Sequence, residues 1–230
     1  MEDGLSLGQG VLWVLIWLGW MLLHTVLDVA VWRRFPPVWE KYLNTVAITV
    51  SMAAFLGLLS RENHFEIDLF RNLSIPGILG AAGCAILLYL LLDQGLDPVL
   101  EKAFPASEAS YQETLRTLRQ SPGISLIQVC VLAPVIEEIL MRGYLLQGLS
   151  VRYGSAVALA VSSLLFALLH FNMVQTLSAL ICGLALGLLY GRTGSVFCCI
   201  LTHAGYNLIS YGMTVLPLRG QTRGEGGRAA

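Results

Sequence analysis

Seven blocks of apolar residues, each close to the length of a membrane crossing, decide what this chain can fold into. They run approximately over residues 7–32, 43–59, 75–92, 124–149, 155–171, 174–190 and 196–216. A hydrocarbon core about 30 Å thick takes roughly 20 helical residues to cross. Lipid offers no hydrogen-bond partner, so each block must satisfy its own backbone, and over this length only a helix does so. The expected fold is all-α: a polytopic transmembrane helical bundle of about seven helices, with a long polar connection between helices 3 and 4. Composition agrees, since 56% of the 230 residues are hydrophobic and 13% charged, too few charges to cover a water-facing surface. A net charge of −1, with no basic cluster interleaved with aromatics, argues against a nucleic-acid partner.

The first block follows Glu2 and Asp3 rather than a basic region, and its apolar run exceeds a signal-peptide core. It reads as a retained helix, with Trp13, Trp17, Trp20 and Trp32 as candidates for the membrane interface. With seven helices and an outer N-terminus, the inner segments carry Arg33, Arg34, Lys41, Lys102, Arg116, Arg119, Arg219, Arg223 and Arg228. Those are nine of the 14 basic residues, which favours a cytoplasmic C-terminus. Cys84, Cys130, Cys182, Cys198 and Cys199 all lie in apolar blocks without metal-ligand spacing and read as small hydrophobes.

Three regions are expected. Residues 1–123 hold the N-terminal helices and the polar connection, whose run Glu108–Gln120 suits a helix lying on the membrane or a substrate-guiding gate. Residues 124–218 form a catalytic core, and the Gly- and Arg-rich residues 219–230 a disordered tail. In the sixth block Ala179, Gly183, Gly187 and Gly191 recur every four residues, so one helical face is small enough for close helix packing. His24 and Asp28, four apart in the first block, invite a ligand reading, but Asp28 lies close to Arg33 and Arg34, which points to an end-of-helix ion pair or hydrogen bond.

Ionisable groups inside membrane helices cost about 2.5–3.5 kcal/mol each on insertion scales, so a concentration of them points to function. The fourth block carries Glu137, Glu138 and Arg142. Glu138 and Arg142, four apart, can pair on one helical face. Glu137 lies about 100° round the axis from Glu138 at 3.6 residues per turn, so it faces another helix. A carboxylate left unpaired in an apolar setting suits a general base. The fifth block ends with Phe166 and His170, and the seventh carries His203 and Asn207 on one face. Each histidine alone could be a core residue. Together with Glu137 they supply what water-mediated amide hydrolysis needs: a base, a group to orient the water, and donors for an oxyanion. Gly205 leaves room for close approach.

The motifs Glu-Glu-x-x-x-Arg at 137–142, Phe-x-x-x-His at 166–170 and His-x-x-x-Asn at 203–207 resemble, in order and spacing, the CPBP family of CAAX prenyl endopeptidases and bacteriocin-processing or self-immunity proteins. The resemblance covers roughly residues 124–210. It implies a glutamate-type intramembrane endopeptidase with Glu137 as general base, His170 positioning the water, and His203 and Asn207 as the oxyanion hole. Glu138, Arg142 and Phe166 would shape the site. The implied partners are membrane lipid and a protein or peptide substrate, either a CAAX-type prenylated protein or a precursor with a leader or sorting tail. No cofactor is implied. Zinc held by Glu137, His170 and His203 is an alternative, although the His-Glu-x-x-His arrangement of zincins is missing. The short chain suits a bacterial inner (plasma) membrane. Two competing functions are a non-catalytic self-immunity or partner-binding membrane protein and a proton-coupled transporter, the latter disfavoured by the lack of repeat halves.

Overall fold

The computed structural model describes residues 4–216, and among these every regular element is a helix. Eight helices follow in order: α1 Leu7–Ala30, α2 Pro37–Asn63, α3 Ile75–Ala103, α4 Pro105–Arg119, α5 Pro122–Tyr153, α6 Ser155–Leu168, α7 Met173–Thr193 and α8 Val196–Thr214. The residues assigned to the tail, 219–230, with Arg219, Arg223 and Arg228, lie outside the described residues.

Local chemistry fixes several helix ends. Ser6 and Gln9 form a reciprocal capping box at the start of α1, with Gln9 N donating to Ser6 Oγ at 3.2 Å and Ser6 N to Gln9 Oε1 at 3.1 Å. Asn172 caps α7 and Ser195 caps α8 through their side-chain oxygens. Between these two helices Gly194 sits at φ +63°, where a Cβ would lie 2.6 Å from the Asn72 amide nitrogen. Only glycine accepts both the left-handed backbone and that contact.

Five helices, α1, α2, α3, α5 and α7, are long and apolar enough to cross a membrane, which makes this a multi-pass membrane protein. The other two expected spans differ. Helix α6 has 14 residues, and α8, with 19, has its apolar character reduced by His203, Tyr206 and Asn207. Helix α3 also outruns its expected end near residue 92, continuing through a π turn at Leu92–Leu96 to Ala103. The polar connection is therefore largely helical. Its α4 does not lie free, because Leu115 is buried in a small cluster with Cys130, Tyr211 and Val215.

Most of the core gathers around α5, whose residues from Ile139 to Leu146 are all buried. Trp13 and Trp17 are buried against Phe55 of α2, ring centroids 6.0 and 5.0 Å apart, instead of marking a lipid interface. Asn63 at the end of α2 accepts from both Trp13 Nε1 at 3.1 Å and Tyr144 Oη at 2.8 Å, tying α1 and α2 to α5. His24 pairs with Ser51 of α2 at 2.5 Å and not with Asp28, which holds Arg33 at 3.3 Å and Asn44 at 3.0 Å. The small-residue face of α7 meets α6 at Gly183 and Gly187. A Cβ on Gly183 would stand 3.1 Å from Ser163 Cα, whereas Gly191 faces open space.

Candidate active site

Helix α5 carries the acidic residues inward along a backbone twice loosened into π register, at Gln128–Leu132 and at Ile139–Leu146. Such turns occur disproportionately at functional sites. Between them, Glu137 and Glu138 separate as helical geometry requires.

Glu138 is fully buried, and its Oε1 accepts from Arg142 Nη1 at 2.9 Å and from His203 Nδ1 at 2.8 Å. Arg142, 1% exposed, donates further to the Gly183 carbonyl at 3.1 Å, and its guanidinium lies 4.9 Å from the Phe166 ring centroid. The buried cation is thus held by a carboxylate, a carbonyl and an aromatic face, while Glu138 Oε2 is buried without a hydrogen-bond partner.

Glu137 makes no such pair. Its side chain keeps 22% exposure, facing a cavity, and His203 Nε2 lies 3.9 Å from its Oε2, beyond direct hydrogen-bond length. His203 therefore stands between the two glutamates. With Nδ1–H donated to Glu138, Nε2 is the atom turned towards Glu137.

His170 closes the last turn of α6. Its Nδ1 lies 3.1 Å from the Phe166 carbonyl, which can only accept, so Nδ1 carries the proton and Nε2 keeps its lone pair. The Phe166 ring stands edge-on to both imidazoles, with centroids 5.1 Å from His170 and 5.7 Å from His203. One phenyl ring thereby packs against both histidines and Arg142. On α8, one turn beyond His203, Asn207 Nδ2 donates to the Val129 carbonyl of α5 at 2.9 Å.

Glu137, Phe166, His170, His203 and Asn207 all line one cavity of about 500 Å³, while Glu138 and Arg142 sit behind its wall. The structure thus brings together the residues that the sequence singled out, from α5, α6 and α8. It also gives His203 and Asn207 first partners of their own, so neither is a bare donor waiting for substrate.

A further acidic part of the lining was not anticipated. Asp93, Asp97, Glu101 and Glu108 line the same cavity, and its lining includes no lysine or arginine among the described residues. Asp93 accepts from Tyr206 Oη at 2.8 Å, and Asp97 from Ser178 Oγ, linking the end of α3 to α8 and α7. One signal was available: acidic residues at 93, 97 and 101 recur every four positions, which on a continuing helix places them on one face. Placing the end of α3 near residue 92 hid it.

Among the described residues no three His, Cys, Asp or Glu side chains are grouped closely enough to hold a metal ion, so the arrangement lends no support to zinc at Glu137, His170 and His203.

Residues 119–209 match the family described as Rce1-like, type II CAAX prenyl endopeptidase. The chain carries an Rce1-like domain. The match runs from the end of α4 through most of α8 and so contains every cavity residue on α5, α6, α7 and α8 named above. Membership of that family implies intramembrane protease activity. No curated protein and no solved structure matches the chain.

Proposed function

We propose that the Rce1-like domain hydrolyses a peptide bond of a membrane-associated substrate with water activated by Glu137. The observation that carries this reading is a carboxylate without a direct hydrogen-bond partner and two imidazoles, each with Nδ1 engaged, lining one cavity inside helices otherwise apolar.

Glu137 takes a proton from water, and the water oxygen attacks the scissile carbonyl. The Nε2 lone pair of His170 accepts the water's other hydrogen and orients it. A second proton on His203, at Nε2, lets that ring donate to the oxyanion while Nδ1–H stays on Glu138. Asn207 adds its second amide N–H. Collapse of the tetrahedral intermediate breaks the C–N bond, and Glu137 returns its proton to the leaving amine.

The substrate is a CAAX-type prenylated protein or a peptide or sorting-tail precursor, presented in a bacterial plasma membrane. Carboxylates without a lysine or arginine on the cavity wall offer a free C-terminal carboxylate no counter-ion, which favours a chain segment continuing past the scissile bond.

The test uses the full chain in liposomes with two quenched fluorescent peptides, one ending in a farnesylated cysteine plus three residues, the other an unprenylated apolar segment flanked by lysines. Glu137→Gln is expected to lower turnover by about 10²–10⁴-fold, the usual contribution of a general base, with unchanged thermal stability. Turnover at the parent rate would refute the assignment. Protection against a toxin that survives Glu137→Gln in cells would point instead to the non-catalytic self-immunity reading.

A further inference from the structure

The Asn207 amide is anchored on a backbone carbonyl that α5 leaves open at a position set by one proline. In the π register of Gln128–Leu132, the N–H of Ala133 donates to the Gln128 carbonyl, five residues back. The same register assigns the Val129 carbonyl to the N–H of residue 134. That residue is Pro134, which has none. A carbonyl deprived of its helical donor within a membrane helix has to find another partner. Asn207 Nδ2, on α8, supplies it at 2.9 Å.

This bond also settles which way the Asn207 amide points. A carbonyl can only accept, so the NH₂ group and not Oδ1 faces Val129. The amide is planar, and with one N–H committed, the other is turned roughly 120° away in that plane. Asn207 lines the cavity together with Glu137 and His203. Without the anchor the side chain could rotate about its own Cβ and present oxygen instead of N–H to an oxyanion.

We infer that Pro134 is a positioning residue for Asn207: by withholding a backbone N–H it reserves the Val129 carbonyl as the fixed point from which the Asn207 amide is aimed. The consequence for catalysis rests on the proposed hydrolytic role of Asn207. The anchor itself does not.

Val129-Cys130 is the one Val-Cys pair in the chain, so carbonyl-¹³C valine with ¹⁵N cysteine labels a single peptide group. The ¹³C resonance of that carbonyl, read in the full chain in nanodiscs, reports whether Val129 is hydrogen-bonded. In the parent background, Asn207→Ala is expected to move the resonance upfield. With Pro134→Ala the missing donor is supplied, so adding Asn207→Ala should leave the resonance in place. An equal shift in both backgrounds, or none in the parent, would overturn the inference. Pro134→Ala removes a helix breaker, and the heat-induced exposure of the buried cysteines checks that each variant is folded.

On whichever of the two peptides is cleaved, Pro134→Ala is expected to lower kcat by about 10- to 100-fold with KM unchanged, the scale of a misplaced catalytic group. It should cost nothing further once Asn207 is Ala. A parent kcat in Pro134→Ala would refute the positioning role even if the resonance shifts as described. If neither peptide is cleaved by the parent, the proposed function fails while the resonance still decides the anchor.

Discussion

Replacing Glu138 by glutamine separates the architecture of the site from its chemistry. The side chain keeps its shape and loses its charge. Two hydrogen bonds to a fully buried carboxylate are affected, those from Arg142 at 2.9 Å and His203 at 2.8 Å, and Arg142, 1% exposed, is left without a counter-ion. Breaking a buried pair from one side costs about 3–5 kcal/mol because the remaining charge is uncompensated. Complete loss of two bonds to a charged group, at about 1.5–3 kcal/mol each, would set an upper range of about 3–6 kcal/mol, since glutamine keeps one acceptor oxygen. For a chain of this size, such a loss lowers Tm by about 6–20 °C.

Arg142→Met should cost less, since Glu138 keeps the hydrogen bond from His203 Nδ1 at 2.8 Å. The double variant Glu138→Gln, Arg142→Met removes both charges and should recover most of the loss, as buried pairs do when exchanged for apolar groups. The assay is built into the chain: Cys130, Cys182, Cys198 and Cys199 are buried free thiols, so a thiol-reactive dye reports unfolding as the protein is heated. A Glu138→Gln midpoint within about 2 °C of the parent, or a double variant no more stable than the sum of the single losses, would refute the argument.

Further outcomes follow from packing and from the cavity. Gly183→Ala should destabilise by about 1–3 kcal/mol, because the new Cβ would stand 3.1 Å from Ser163 Cα and 3.3 Å from the Phe166 ring. Gly191→Ala, in open space, should be neutral or slightly stabilising in the same melt. Tyr206→Phe removes the donor to Asp93 and is expected to cost about 1–3 kcal/mol, the penalty for an unsatisfied acceptor, which a melt of the single variant would show. Peptide cleavage should survive 1,10-phenanthroline, and complete loss with recovery on adding zinc would restore the metal alternative.

What could be read from the amino acids was what one helix determines by itself. Apolar length fixed the helices, because hydrocarbon leaves a backbone no other partner, and a spacing of four placed Arg142 on Glu138, where the structure has it at 2.9 Å. Relations between helices were legible only as residue types. Glu138 and His203 are 65 positions apart and meet through the tilt and rotation of α5 against α8, which no periodicity records.

The π turns mark the limit most clearly. Each inserts one residue into the helical repeat, so the faces beyond it are turned by about 100° from those a uniform helix would present. At Leu92–Leu96 that insertion, with the helix running on to Ala103, is compatible with Asp93, Asp97 and Glu101 all reaching the cavity. At Gln128–Leu132 it decides which carbonyl lacks a donor, and so where Asn207 is held. The sequence shows an asparagine on the same face as His203, which makes it a donor near the chemistry. Where its first hydrogen bond goes depends on the register of a different helix, and it is that register, set beside a proline, that determines which N–H remains for a substrate.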